Sequence, residues 1–140
     1  MPMSRISVPA HLSREKVRAL ADAVQAALVQ TCDVSPKDRF QLISRFADQD
    51  RIIDPTFPDV ERTSDASIIE ILFLKGRDKV KKRLLYREIV RGAAAAGFRA
   101  DDIFVTLMEN EPIDWSLGRG VAYDQSAETV NHSASEKASG

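Results

Sequence analysis

The sequence has one cysteine and two histidines among its 140 residues, and it has no long hydrophobic run. Cys32 has no partner for an internal disulfide, and its place near the end of a helical pattern favours a small buried side chain over a nucleophile. His11 and His132 lack neighbouring cysteines, so we expect neither a zinc site nor a cofactor. No segment has the length and apolarity of a signal peptide or a membrane span, and we therefore expect a cytoplasmic protein without a membrane partner.

The sequence also has no large excess of positive or of negative residues. The chain has 20 lysines and arginines against 21 aspartates and glutamates, which gives a net charge of -1. This balance creates no general attraction to nucleic acid or to an anionic membrane. A chain of 140 residues is long enough for one domain with a buried core.

Hydrophobic periodicity predicts two helices and four strands. The first helix is capped by Ser13 and ends near Thr31, and the second covers about residues 78–96 and ends at Gly97. Strands are predicted at residues 2–8, 40–46, 68–74 and 103–108. In the second helix the residues predicted to face inward are Val80, Leu84, Leu85, Ile89 and Ala93.

The other segments are predicted to be irregular. Residues 47–65 are polar and form a long connection with a short hairpin, and connections of this length are usually functional. Residues 121–123 are predicted to form a last short strand. The folded domain is expected to cover residues 1–123, and residues 124–140 are expected to be a disordered tail.

The two halves of the chain repeat one another. A shift of 65 positions places Leu20 on Leu85 and Val24 on Ile89, which indicates two β-α-β units. Each unit needs a right-handed crossover, and two units can join into one four-stranded sheet that carries both helices on one face, an α+β fold. If a two-fold axis relates the two units, the first strand of one unit lies antiparallel to and beside the first strand of the other. The start of the first strand then lies beside the end of the third.

The N-terminus offers a candidate acid or base. If Met1 is removed, Pro2 becomes the N-terminal residue and its nitrogen becomes a free secondary amine. Ordinary α-amino groups titrate at about 7.7–8.0, near the range in which general acids and bases work well. The alternation at Ile6 and Val8 places this amine on a strand, which is a rigid support.

Lys75, Gly76 and Arg77 follow the third strand and precede the second helix. Cations at a helix N-terminus oppose the helix dipole unless an anion is present, so this position predicts a carboxylate or phosphate site. Gly76 allows close approach of the backbone to such an anion. The remaining cations of the second helix are predicted to form a solvated outer face: Lys79, Lys81, Lys82, Arg83, Arg87 and Arg91.

Two further side chains have alternative interpretations. Asp38 precedes the second strand, where its carboxylate either orients a water and tunes the amine of Pro2, or forms an ordinary turn or a salt bridge with Arg39. Trp115 lies in a loop and is either a pocket wall or an aromatic of the core or of a subunit interface.

Four short motifs occur along the duplicated chain. They are Pro2 behind the initiator Met1, Asp38-Arg39-Phe40, Lys75-Gly76-Arg77 and Asp114-Trp115-Ser116-Leu117-Gly118-Arg119-Gly120. Together they resemble the tautomerase superfamily, and within it the branch of malonate semialdehyde decarboxylase-like proteins. The resemblance covers residues 1–123.

The resemblance implies a homotrimer of β-α-β units with Pro2 as the catalytic residue in a pocket near the subunit interfaces. It implies that Arg77 and a basic group at Lys75 bind the carboxylate of the substrate, and that Asp38 helps to activate water. It also implies that Trp115 and its neighbours line the pocket.

Two positions depart from the decarboxylase pattern, which has arginine at Lys75 and phenylalanine at Leu117. Lysine offers a point charge where arginine offers a planar fork. The wall of the pocket at Leu117 is also changed. Both departures concern the identity of the substrate and leave the acid–base groups in place.

The predicted function is proton transfer on a small oxo acid. As a neutral base, Pro2 would catalyse keto–enol tautomerisation; as a cationic acid, it would polarise a carbonyl for decarboxylation or hydration while Asp38 acts on water. Lys75 and Arg77 would lower the pKa of the Pro2 amine, whereas Asp38 would raise it. One alternative is a ferredoxin-like binding module whose basic second helix binds an acidic partner or nucleic acid. Another is a member of the family that keeps the fold without efficient catalysis.

Overall fold

The computed structural model describes residues 1–124, which contain a four-stranded sheet and two long helices. In chain order these elements are β1 (Pro2–Pro9), α1 (Arg14–Cys32), β2 (Gln41–Phe46), β3 (Ser67–Leu74), α2 (Lys79–Ala95) and β4 (Ile103–Asn110). The strand order is β2-β1-β3-β4. The predicted duplicated architecture is confirmed.

The pairing of β1 with its neighbours sets the geometry of the sheet. β1 is parallel to β2, with Ile6 opposite Ile43, and antiparallel to β3, with Pro2 opposite Phe73. The two units therefore join through antiparallel first strands, as predicted. The consequence is that the N-terminal end of the protein lies at the end of β3 from which the chain leaves for α2.

Both helices begin at side-chain caps. The Ser13 hydroxyl accepts a hydrogen bond from the Lys16 backbone N–H at 3.1 Å, and the Asp78 carboxylate accepts one from the Lys81 N–H at 2.9 Å. Each bond satisfies a backbone donor that has no partner within the helix, which typically stabilises the fold by about 1 kcal/mol. The predicted helix boundaries are confirmed to within a residue or two.

The core lies between the helices and one face of the sheet. Ile6, Ile69 and Phe73 contribute fully buried side chains from β1 and β3, and they pack with the apolar stripe of α1. The two helices approach each other closely at Gly92, where an added Cβ would lie 2.7 Å from the Cβ of Ala23. A side chain at Gly92 would therefore force the helices apart.

The predicted inward face of α2 is wrong at two of its five positions. Leu85, Ile89 and Ala93 are buried, but Val80 is 61% exposed and Leu84 is 42% exposed. Successive helical residues are rotated by about 100°, so Val80 and Leu84 lie on the side of the helix away from the other three. Including Val80 and Leu84 made the predicted stripe too wide.

The connection between β2 and β3 contains no hairpin, contrary to prediction. It has a short 3-10 helix at Asp48–Asp50, followed by turns. The end of this connection is hydrogen-bonded to Asp102, a buried residue directly before β4. The Asp102 carboxylate accepts bonds from the N–H and the hydroxyl of Thr63 at 2.7 and 2.6 Å. Side-chain bonds of this kind hold the backbone in place without strand pairing.

Within residues 1–108, both helices pack against one face of the sheet and neither covers the other face. Burial alternates along β1 and β3, so every second side chain points away from the helices. We call this surface the open face. One cleft on it is lined by Met3, Arg5, Glu70, Leu72 and Met108.

The chain divides after Met108 into two compact units. In the second unit the predicted strand at residues 121–123 is wrong, because only an isolated antiparallel bridge joins Ser116 to Ala122. Positive φ angles at Arg119 and Gly120 turn the chain between the two bridged residues. The predicted disordered tail lies, apart from its first residue, outside the described residues. Within residues 1–124, no helix is long and apolar enough to cross a bilayer.

Candidate active site

The N-terminal end of β1 lies beside a carboxylate. The amino group of Met1 is 2.8 Å from Oδ2 of Asp38, and Pro2, the next residue, is buried. The second carboxylate oxygen of Asp38 is buried without a hydrogen-bond partner among the described residues. A buried polar atom normally has a partner, so this oxygen marks a place where a ligand or water would be stabilised.

The backbone of Asp38 is held by its neighbours. Its N–H donates to the carbonyl of Ser35 at 3.0 Å, and its own carbonyl accepts from the buried side chain of Gln25 at 3.2 Å. Arg39 bonds Asp22 at 2.6 Å, and this bond lowers the pKa of the Asp22 carboxyl. Asp38 is therefore paired with the N-terminal amine, and Arg39 is paired elsewhere.

Arg77 is half-buried at the start of α2 and is oriented by three groups. Its guanidinium donates to the carbonyls of Leu74 at 2.9 Å and Cys32 at 3.2 Å, and it lies 5.0 Å from the centre of the Phe73 ring. Cys32 is the last residue of α1, where carbonyls without helical partners carry partial negative charge. A guanidinium has five N–H donors, so these two bonds leave donors for a carboxylate.

Other charges surround Arg77. Lys81 donates to Asp33 at 2.6 Å, and this bond, with the charges of Lys81 and Arg77, lowers the pKa of the Asp33 carboxyl. Lys75 is exposed, and the next residue, Gly76, has a φ of +128°, which glycine adopts more readily than other residues. The start of α2 thus carries several cations and two acids: Asp33 pairs with Lys81, and Asp78 caps the helix.

The structure brings Pro2, Asp38 and Arg77 to the same end of the sheet. Phe73 connects them, because it pairs with Pro2 across the strands and lies under the guanidinium of Arg77. Lys75 lies two residues before Arg77 on the same connection.

Two predicted site residues lie in the second unit. The indole N–H of Trp115 donates to the side-chain oxygen of Asn110 at 2.5 Å, and Leu117 is exposed. Their contribution to the pocket stays a prediction.

Sequence reasoning missed two residues that support the site. Phe73 lies within the apolar strand predicted at residues 68–74, and the signal that identifies it as a site residue is the strand register, which periodicity does not give. Gln25 lies within the apolar stripe of α1 and is buried. A polar side chain at a buried helical position is itself a signal, because it must find a partner.

Three comparisons place the chain among known proteins. The sequence profile described as "Tautomerase enzyme" matches residues 38–118. A solved structure of FG41 malonate semialdehyde decarboxylase, inhibited by 3-bromopropiolate, is 32% identical with a TM-score of 0.84, covering 90% of this chain and 96% of that one. A second malonate semialdehyde decarboxylase, 24% identical with a TM-score of 0.83, covers 90% of this chain and 98% of its own and shares the fold. The Bacillus subtilis (strain 168) protein named "Probable tautomerase YusQ" is 29% identical over 87% of this chain and 97% of its own. The chain therefore belongs to the tautomerase family of enzymes.

Proposed function

We propose that the protein transfers a proton on a small oxo acid, with Pro2 as general acid or base. The reaction is either keto–enol tautomerisation, or decarboxylation or hydration of a 3-oxo acid such as malonate semialdehyde. The observation that carries the proposal is the 2.8 Å contact between the amino group of Met1 and Asp38, which lies at the end of the sheet from which the chain leaves through Arg77 to α2. This contact puts the Asp38 carboxylate one residue from Pro2, whose own nitrogen becomes the free amine when Met1 is removed. An amine, a carboxylate and an arginine together can bind an oxo acid and move its protons.

The role of Pro2 depends on the reaction, whereas Arg77 binds the substrate in every case. Arg77, assisted by Lys75, binds the substrate carboxylate. In tautomerisation the neutral Pro2 amine removes a proton from the carbon beside the carbonyl and returns it to another atom of the conjugated system. In decarboxylation the protonated amine polarises the 3-carbonyl oxygen, the bond to the carboxyl carbon breaks, and carbon dioxide leaves. The electron pair moves to the carbonyl oxygen, which takes the proton of the amine and gives an enol. The carbon then takes a proton from water, and the enol oxygen returns its proton to the amine. In hydration Asp38 takes a proton from the water that attacks the carbonyl, and the protonated amine gives one to the carbonyl oxygen.

The comparisons support this choice of substrate class. The structure at 32% identity is a malonate semialdehyde decarboxylase, and two curated Bacillus subtilis relatives are named as tautomerases. The alternative of a binding module on α2 receives less support. Two of its cations, Lys81 and Arg91, already pair with Asp33 and Glu88, each at 2.6 Å.

Titration of the N-terminal amine tests the proposal directly. We expect an intact mass that lacks Met1, turnover of at least one member of a panel of 2- and 3-oxo acids, and a pH profile that follows the amine titration measured by NMR. An active preparation that retains Met1 would contradict the mechanism, since an acylated proline nitrogen is not basic.

We also propose a homotrimer. Apolar side chains on the uncovered parts of the sheet need a partner surface, and Leu42 on the edge strand β2 is 55% exposed. A fused 4-OT protein that shares the fold at 17% identity forms a symmetric trimer.

Sedimentation equilibrium is expected to give three chains per particle at micromolar concentration. Leu42→Glu should dissociate the trimer, because it buries a charge in the interface. Val80→Glu, on the outer face of α2 and 61% exposed, is the matched control and should leave the trimer intact. A stable wild-type monomer would contradict the proposal.

A further inference from the structure

We propose that Phe73 is a positioning residue that sets the affinity of the site for carboxylate, by holding the guanidinium of Arg77 beside Pro2. The proposal rests on the proposed role of Arg77 as the carboxylate-binding group. Phe73 lies in the core of the domain, whereas Lys75 and Arg77 lie on the connection before α2. A core residue would therefore help to set the affinity for carboxylate.

The geometry of Phe73 connects the two reactive positions. Its side chain is fully buried, and its ring centre is 5.0 Å from the guanidinium carbon of Arg77, within the range of a cation–π contact. Phe73 also lies directly opposite Pro2 in the antiparallel pairing of β1 with β3. Directly opposed residues share a face of the sheet, with Cβ atoms about 4.5–5.5 Å apart. One ring is thus the common neighbour of the amine-bearing residue and the arginine.

Arg77 needs such a support because of its location. It follows Gly76, whose φ of +128° belongs to a turn, and its side chain has several rotatable bonds. The carbonyls of Leu74 and Cys32 each accept one bond from the guanidinium. The ring supplies a face against which the planar group lies, and a guanidinium fixed in this way loses less freedom when it binds a carboxylate.

The chain contains a matched contact that is remote from Arg77. Phe98 is 4% exposed, belongs to the same core, and lies 4.7 Å beneath the ammonium group of Lys16. Lys16 pairs with Asp65 at 3.4 Å and has no role in the proposed chemistry. Replacing Phe98 therefore removes the same amount of core and the same kind of contact without touching the site.

The experiment compares Phe73→Leu with Phe98→Leu in the steady-state kinetics of tautomerisation or hydration, on an oxo acid and on its methyl ester. Decarboxylation is not used, because it needs the free carboxylate that the ester lacks. For the acid, Phe73→Leu should raise KM about three- to tenfold, the size expected from losing a partly desolvated cation–π contact. Its kcat and the pH profile of kcat should stay unchanged. Its KM for the ester, which has no carboxylate, should not change. Phe98→Leu should lower Tm to a similar extent and leave both KM values unchanged.

Other results would overturn the proposal. An unchanged KM for the acid would show that the ring does not support Arg77, and a lower kcat on acid and ester alike would show that Phe73 acts on Pro2. Arg77→Ala, measured in parallel, distinguishes a wrong role for Phe73 from a wrong carboxylate site. If Arg77→Ala raises KM for the acid while Phe73→Leu does not, only the role of Phe73 is wrong. If neither variant changes KM, the carboxylate site itself is wrong. Should Phe73→Leu not fold, Phe73→Met, which keeps the volume without the ring, is compared with Phe98→Met.

Discussion

Replacing Pro2 with alanine is expected to lower kcat/KM by about 10²–10⁴, the range that general acid–base groups contribute. Alanine is small enough for Met1 to be removed, so the variant keeps a free amine. That amine is primary, however, and it lacks the ring that fixes the nitrogen relative to the strand. Steady-state kinetics on the best oxo-acid substrate measure the effect.

Pro9→Ala is the control for this change. Pro9 is the last residue of the same strand and is also buried, so the substitution removes the same atoms from the opposite end of β1. We expect Pro9→Ala to alter stability and to leave turnover close to that of the wild type. Equal turnover in Pro2→Ala and the wild type would exclude the acid–base role and favour the binding-module alternative.

Replacing Arg77 with alanine is expected to lower kcat/KM roughly ten- to hundredfold, because a charge-assisted hydrogen bond contributes about 1.5–3 kcal/mol. Most of the loss should appear in KM if the arginine binds the carboxylate equally in the ground state and the transition state. The measurement is the kinetics of the same oxo acid at the optimal pH.

Arg87→Ala removes one cation from the exposed face of α2, the helix that follows Arg77, and should have little effect on kinetics. Arg77 also donates to the carbonyls of Leu74 and Cys32, so its removal is expected to reduce stability as well. Thermal unfolding measured with and without a substrate analogue separates this effect from lost binding. Similar kinetics for Arg77→Ala and Arg87→Ala would show that the anion site at the start of α2 is misplaced.

Lys75→Arg extends the same comparison. Arginine restores the planar fork of the decarboxylase pattern, so the variant should bind the oxo acid as well as the wild type or better. A lower KM for the oxo acid in this variant would support a position of the connection before α2 beside the substrate.

Local patterns predicted much of this protein. The apolar stripe of α1, the cap at Ser13 and the start of the second helix near residue 78 depend on residues close in sequence. The offset repeat depends on a comparison of one half of the chain with the other. The placement of Pro2 on a strand beside the end of β3 followed from that repeat. Interactions over a few residues have the same geometry in most folds. Rules learned from other proteins therefore apply to these local features of this chain.

The contacts that define the candidate site depended on the tertiary structure. Periodicity does not give the register that places Phe73 opposite Pro2, nor does it decide that Asp38 meets the N-terminal amine while Arg39 bonds Asp22. The exposure of Val80 and Leu84 was likewise decided by which side of α2 packs on the core. These contacts form between residues that are distant in the chain. The local sequence alone allows several alternative partners for each of them. Packing of the whole core selects among them, since a slip of one residue would turn either Ile6, or Ile69 and Phe73, away from the buried face.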